Sequence, residues 1–428
     1  MQPKLSWKKD FFTVWSGQAL SILGSQLVQF ALIWFLTVKT GSATVLATAS
    51  LAGMLPGVVL GPFVGTLVDR WNRRKIMIIA DSIVAAASIV LALLFMLGVA
   101  ENWHIFLVMF IRSLAGCFHS NAMSASTSLM VPNQHLTRIQ GVNQMLNGGL
   151  NIVSAPLGAL LLGAIPVEGI LAIDVVTAAT AVLPLFFIPI PQPERTHPSL
   201  TEMETKVTIW QDFNAGIRYM IGWPGLLIAS LGTVMINFTI IPAFSLLPLM
   251  VKNFFGGSAI QLGYVESAMG IGTIVGGALL GVWGGFPRKI VTAMVGLMGM
   301  GIGTLLLALA PSFSLVLAIC GAFVVGLMSP ITMGPFFAII QSSVEPEMQA
   351  RIFSLLGSIG GGMAPIGLMV AGPVADQAGI QAWFFLGGGL CVVMAVAAFF
   401  VPVIMNIENG RGSQAPVRSA EIEPAFSK

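Results

Sequence analysis

Five residues in this chain carry groups able to hold or move a proton while sitting inside apolar runs: Asp81, Arg112, His119, Asp174 and Glu266. A charge in the middle of a membrane helix costs at least ~2.5–3.5 kcal/mol, so such a group faces a cavity or a partner and commonly belongs to an ion or substrate path. Arg112 lies well inside its run, and His119 follows about two turns later on the same helical face. Asp174 and Glu266 each stand early in theirs. The chemistry available to Arg112, Asp174 and Glu266 is proton coupling, with Arg112 paired to Asp174 and proton binding competing with the pair. The plainer alternative for each is an ion pair that only holds helices together, and for His119 a hydrogen bond within the core. Asp81, close behind Lys75, reads as part of a charged loop network.

Bond-making chemistry finds no support. There is no GK dipeptide for a phosphate loop, and neither HExxH nor G-x-S-x-G occurs. GIGTIVGG (270–277) is glycine-rich but lies inside an apolar run, where close helix packing explains it. Cys117, Cys320 and Cys391 are far apart, form no CxxC and read as small apolar residues, not metal ligands. The reading is therefore not an enzyme, with no cofactor, no metal and no nucleic-acid partner. An ion gradient is the energy source that remains.

The elements that must position these groups follow from composition. Only 9% of the 428 residues are charged and 56% are hydrophobic, whereas soluble domains carry about a quarter charged residues. Most of the surface must face lipid. Twelve apolar spans can be drawn, at 11–38, 43–69, 75–99, 103–130, 139–165, 168–188, 223–250, 258–284, 288–310, 313–341, 350–373 and 380–405. Each must be a helix, because hydrocarbon offers no partner to an open backbone. The fold class is an all-α membrane protein: twelve transmembrane helices in two pseudo-symmetric six-helix bundles. The bundles cover 1–188 and 223–405. Between them lies a cytoplasmic linker, 189–222, in which TIWQDFNAGIRYMIG (208–222) has the pattern of a surface amphipathic helix; a cytoplasmic tail, 406–428, closes the chain. The basic opening, MQPKLSWKKD, precedes a run too long for a cleaved leader, so that run reads as a retained span.

Of 20 Lys and Arg, only Lys39 and Lys252 fall on one side of this arrangement, with Arg112 inside a span. That bias places both termini on the cytoplasmic side of a multi-pass membrane protein. Trp34, Trp103, Trp223, Trp283 and Trp383 near span ends agree. The halves also repeat: APLG (155–158) returns as APIG (364–367), and Gly61 and Gly65 close the second span as Gly277 and Gly281 close the eighth. Doubled six-span halves put a substrate site at their interface.

The densest charge, GTLVDRWNRRK (65–75), stands where the second span ends. Gly53, Gly57, Gly61 and Gly65 recur every fourth residue, giving a bare face for close helix approach, with Asp69 one turn further on. A carboxylate there can meet the positive end of a neighbouring helix and be held by Arg70 or Arg73.

This stretch resembles the loop motif of the major facilitator superfamily, G-x-L-x-D-R-x-G-R-[RK], in Gly65, Leu67, Asp69, Arg70, Arg73 and Arg74. Asn72 stands at the motif's second glycine, and Asn tolerates left-handed backbone angles. The resemblance implies a conformational latch formed by Gly65, Asp69, Arg70, Arg73 and Arg74 against the start of the eleventh span, near Gln349 to Arg351. The second-half copy, GALLGVWGGFPRK (277–289), lacks the Asp. Arg112 and Gly116 are similar to the fourth-span motif of proton-coupled exporters, with Ala115 at its glutamine. APLGA is similar to a weakened fifth-span antiporter motif, in which Pro156 and Gly158 give a bend and a close-packed face.

Polar stripes mark helix faces. The fifth span carries Gln140, Asn143, Gln144, Asn147 and Asn151; the first Gln18, Ser21, Ser25 and Gln29; the seventh Ser230, Thr233 and Asn237. They read as interhelical hydrogen bonds or as the wall of a wet cavity, whose lining is expected from Gln18, Gln29, His119, Asn143, Asn147, Asn151 and Asn237. Helix packing is expected at Gly57, Gly61, Pro156, Gly158 and Pro365. The Asn72 loop form, the sixth-span Asp174 and the plain fifth-span AP motif resemble the macrolide-efflux branch of that superfamily. The activity this resemblance implies is secondary efflux of a small lipophilic compound in exchange for protons, by a monomer in the bilayer. Export of a siderophore or lysophospholipid, nutrient uptake, or a non-transporting scaffold or receptor are the alternatives.

Overall fold

The computed structural model describes residues 7–192 and 209–409. Six long helices come first: α1 (Trp7–Thr40), α2 (Ala43–Arg70), α3 (Arg73–Met96), α4 (Asn102–Met130), α5 (Asn133–Ala164) and α6 (Val167–Phe187). A shorter helix follows, α7 (Ile209–Ile221), and then six more long ones: α8 (Pro224–Ser245), α9 (Ala259–Trp283), α10 (Lys289–Leu309), α11 (Leu315–Ser343), α12 (Pro346–Ala378) and α13 (Ile380–Phe400). Twelve of these helices are long and apolar enough to cross a membrane.

Local chemistry sets the boundaries. Ser42 caps α2, its hydroxyl accepting from the Val45 amide. Asn72 caps α3 by accepting from the Lys75 amide at 3.1 Å, with extended backbone at φ −70°. The left-handed tolerance expected of Asn72 is therefore not used; a capping oxygen is what the turn needs. Ser258 and Gln261 form a reciprocal capping box on α9, and Gly284, at φ +77°, ends that helix in the conformation that glycine adopts without strain. Helices α1, α5 and α12 begin several residues before the apolar runs do, because their first turns are polar. The seventh span, expected to continue to 250, stops at Ser245. Pro248 supplies no backbone donor, and the chain passes through a short turn, Leu247–Leu249, into a wider one, Met250–Phe254.

Packing divides the helices into two bundles. In the first, α1 lies against α5 and α6, α3 against α4 and α6, and α2 against α4. In the second, α10 lies against α11 and α13, α9 against α11, and α8 against α12 and α13. Helix α7 rests on α12 and α8, with Tyr219 and Met220 buried beside Ile352 and Leu355. Two seams join the bundles, α2 to α12 and α5 to α9.

Both seams close at one end only. Loop 71–72 marks the basic end, and the turn at Gly41–Ser42 marks the far end. At the far end, a Cβ added at Gly263 would lie 3.2 Å from Pro156 Cα, and one at Gly372 would lie 2.8 Å from Thr44 Cα. Toward the basic end, a Cβ at Gly57, Gly61 or Gly65 of α2, at Gly357, Gly361 or Gly362 of α12, at Gly141 of α5, or at Gly277 or Gly281 of α9 would meet nothing within 4 Å. The packing expected at Gly57 and Gly61 is thus absent in this conformation: the two bundles have parted along that face. Gly158 does pack closely, against Phe30, and Pro156 and Pro365 sit in their helices at close or buried contacts.

Candidate functional site

The core of the site is an ion pair inside the first bundle. Arg112 of α4 places Nη1 2.5 Å from Asp174 Oδ2, and Nη2 donates to Oδ1 at 3.4 Å. Asp174, on α6, is fully buried and Arg112 nearly so. Asp174 also accepts from Ser88 Oγ of α3 at 2.7 Å and from Ser25 Oγ of α1 at 3.2 Å. Arg112 contacts Ser88 Oγ at 2.5 Å and the Ser25 carbonyl at 3.5 Å. Four helices therefore meet on one neutral, hydrogen-bonded pair, which is the condition under which buried charges are tolerated. Ser88 gave no signal in sequence, since it is a lone small residue in an apolar run.

A second cluster lies nearer the basic end. Gln18 Nε2 donates to Asp81 Oδ2 at 3.2 Å, and Gln18 Oε1 lies 2.7 Å from His119 Nε2, which is itself 3.6 Å from Asp81 Oδ1. Asp81 is 6% exposed and does not join the loop charges. Its place in sequence, soon after Lys75, hides nearly two helical turns that carry it about 9 Å inward at 1.5 Å per residue. Beside this cluster Trp15 Nε1 donates to Asn143 Oδ1 at 2.7 Å, tying α1 to α5.

Arg112 and Ser25 of the first cluster, and all of the second, line a cavity of about 800 Å³ whose wall includes Gln18, Gln29, Asp81, Arg112, His119, Asn143 and Asn147. Its walls come from α1 to α5, with Ser245 from the second bundle. That volume suits a drug-sized molecule. Toward the far end a second cavity of about 490 Å³ lies between the bundles, lined by Asn151 of α5, Glu266 of α9 and apolar residues including Phe30, Phe244 and Leu262. Gln26 and Gln29 line both cavities. The Gln26 Oε1 atom is buried with no hydrogen-bond partner among the described residues.

The sequence-predicted residues thus divide. Gln18, Gln29, Arg112, His119, Asn143 and Asn147 come together in the larger cavity, and Asn151 and Glu266 in the smaller. Glu266 is not beside Arg112 and Asp174; no cation among the described residues pairs with it. Asn237 lines neither cavity. Its amide donates to the Thr233 carbonyl of its own helix at 2.8 Å and faces Gly360 of α12, so a local backbone acceptor has claimed it.

At the basic end, Arg73 Nη1 donates to the Ala125 carbonyl at 3.1 Å, and Arg74 donates to the carbonyls of Leu185 and Phe186. These guanidiniums hold the ends of α4 and α6, where free carbonyls and the helix dipole favour a cation. These contacts lie within their own bundle. Arg70 is exposed, and Gly65 faces open space. The side chain of Asp69 lies outside the described residues.

A membrane protein of twelve helices in two bundles, with a polar cavity open toward one end, has the architecture of a carrier. The family model described as Major Facilitator Superfamily matches residues 14–368 and 245–426. Macrolide efflux protein A of Streptococcus pyogenes is 35% identical over 408 residues, covering 95% of this chain and all of that protein. The multidrug efflux pump Tap of Mycolicibacterium fortuitum is 25% identical over 399 residues, covering 90% of this chain and 94% of that one. Among solved structures, the peptide transporter POT in complex with alafosfalin superposes with a TM-score of 0.70 at 14% identity, covering 93% of this chain and 95% of that one. The nucleoside transporter NupG superposes with a TM-score of 0.60 at 16% identity, covering 89% of this chain and 97% of that one. The chain belongs to the major facilitator superfamily, in its macrolide-efflux branch, and is a multi-pass membrane transporter.

Proposed function

We propose that this transporter exports lipophilic, drug-like compounds, of macrolide type or of a wider multidrug range, in exchange for protons by alternating access. The observation that carries the reading is the polar cavity of about 800 Å³ with Arg112 in its wall and the buried Asp174 paired to it behind that wall. The relatives named for macrolide and multidrug efflux support the direction of transport and the class of cargo. In this reading the basic end faces the cytoplasm of the inner cell membrane, as do both termini, and the bundles span 1–188 and 223–405 about a cytoplasmic linker, with a tail at 406–428. The protein works as a monomer. Asp69, with Gly65 and Arg70, closes the basic end against the start of α12, while Arg73 and Arg74 keep the loop on its own bundle.

Breaking a buried ion pair on one side costs about 3–5 kcal/mol. Asp174 therefore does not let Arg112 go unless a proton replaces it. A proton arriving at Asp174 frees the guanidinium to face the cavity and alters the charge that a bound substrate meets. Glu266, in the second cavity and without a cation beside it, is the other proton carrier on the path. Inward proton flow then drives cargo outward.

The test is efflux from proteoliposomes under an imposed pH gradient, with growth inhibition by macrolides in cells with and without the gene. Asp174→Asn and Glu266→Gln are each expected to weaken or abolish stimulation by the gradient. Parental pH dependence in both variants removes these residues from the coupling path, and absence of flux for every drug tried overturns the efflux reading.

A further inference from the structure

The far end, where the bundles touch, holds a carboxylate to which no role has been given. Asp376 stands in the last turn of α12 and reaches into the first turn of α2, in the other bundle. Its Oδ1 accepts from the Ala43 amide at 2.7 Å. Its Oδ2 accepts from the Thr44 amide at 3.0 Å, from Thr44 Oγ1 at 2.6 Å and from Ser42 Oγ at 3.1 Å. Close by, Gly372 of α12 lets the two backbones meet, and Asn253 donates to the Gly41 carbonyl at 3.2 Å.

Helix capping alone does not account for this arrangement. Ser42 already caps α2 through the Val45 amide. Asp376 takes two of the remaining free amides, and it brings a full negative charge to the positive end of the helix. A cap of that kind is ordinarily local, whereas this one comes from 332 residues away in the opposite bundle. Any movement that separates the bundles at the far end must break all four bonds together. At the basic end the same two helices have parted, with open space at Gly57, Gly61 and Gly65 of α2 and at Gly357, Gly361 and Gly362 of α12.

We propose that Asp376 is the latch of the far gate, a charge-to-helix-terminus contact that holds the bundles shut there while the basic end is open. The α2–α12 pair then carries a carboxylate at each end. Asp376 of α12 meets the start of α2, and Asp69 stands at the end of α2 that swings toward the start of α12. Closing one end opens the other, so the two contacts alternate. The inference rests on the alternating-access reading but has its own readout.

Spin labels placed by Val99→Cys and Ser312→Cys report the far-end separation of the bundles, and labels at Ser128→Cys and Ser342→Cys report the basic end. Cys117, Cys320 and Cys391 are replaced by alanine throughout. The expected result is that Asp376→Asn raises the far-end-open population roughly tenfold, the scale of losing hydrogen bonds to a charged group. The basic-end pair shortens in step. Thr44→Val, which removes one hydroxyl bond and leaves the backbone amide, shifts the same populations in the same direction by less, and decides the matter if the Asp376 variant does not fold. Parental distance distributions in the folded variants overturn the proposal. The readout does not depend on cargo: a distance shift without drug flux sinks the efflux reading and leaves the latch, and flux without a shift does the reverse.

Discussion

At the scale of the residue, the Arg112–Asp174 pair makes a sharp thermodynamic prediction. Asp174 is fully buried, so Arg112→Ala leaves a carboxylate with only Ser25 and Ser88 to satisfy it, at a cost of about 3–5 kcal/mol. Removing both charges by Arg112→Ala with Asp174→Ala takes away the stranded charge as well. The double variant is expected to melt above either single variant when unfolding is followed in detergent by intrinsic fluorescence, giving a strongly non-additive cycle. Additive losses would show that the pair contributes no coupling. The pair was legible in the sequence because charge is rare inside these runs, which forces each charged group to find another. Asp81 was not, because proximity along the chain to Lys75 suggested a loop partner, while helix rise carried it to Gln18 and His119. Ser88 and Gln26 were invisible for a different reason: nothing in their type or spacing distinguishes a small or amide side chain that meets a charge or a cavity from one that bonds its own helix.

At the scale of the element, glycines that share one spacing do two jobs, and the structure separates them. On α9, a Cβ at Gly276 would fall on the backbone of Leu327 of α11, and one at Gly272 would lie 2.9 Å from the Leu327 amide nitrogen. These positions build the second bundle. On α2, a Cβ at Gly57 or Gly61 would meet nothing within 4 Å, so in the proposed cycle these glycines serve the closed form of the basic end. Gly61→Val is therefore expected to leave folding and melting temperature close to the parent while reducing efflux by tenfold or more, roughly the effect of a misfit that costs 1–3 kcal/mol in one conformation alone. Gly276→Val is expected to lose folded protein, seen as aggregation on size exclusion. Equal transport in Gly61→Val and the parent would show that α2 does not approach its partner there. The periodic stripe told of close approach but not of when it occurs, since a sequence encodes all the conformations of a cycle at once. The end of α8 was misjudged for a local reason: hydropathy runs on through Leu246–Met250 although Pro248 breaks the hydrogen-bond ladder.

At the scale of the whole molecule, the contacts and the charges make independent statements that one experiment joins. The contacts say that the bundles meet near Thr44 and Gly372 and near Pro156 and Gly263, and part toward loop 71–72. The charges say that the parted end is the basic one, because the Lys and Arg among the described residues gather there, apart from Lys39, Arg112 and Lys252, and positive loops favour the cytoplasm. With the proposed orientation, the larger cavity is expected to be reached from the cytoplasm when no cargo or gradient is present. Asn147, exposed in the wall of that cavity, is the reporter. In the cysteine-free background, Asn147→Cys is expected to react with a membrane-impermeant maleimide in everted vesicles and to resist it in intact cells, while Ser312→Cys, in a far-end loop, shows the opposite pattern. Energising the vesicles in the presence of an exported compound is expected to slow the Asn147→Cys reaction severalfold, as the open end closes around cargo. Reaction of Asn147→Cys from outside intact cells, with Ser312→Cys reacting only in everted vesicles, would invert the orientation, and with it the direction in which protons must run to drive export.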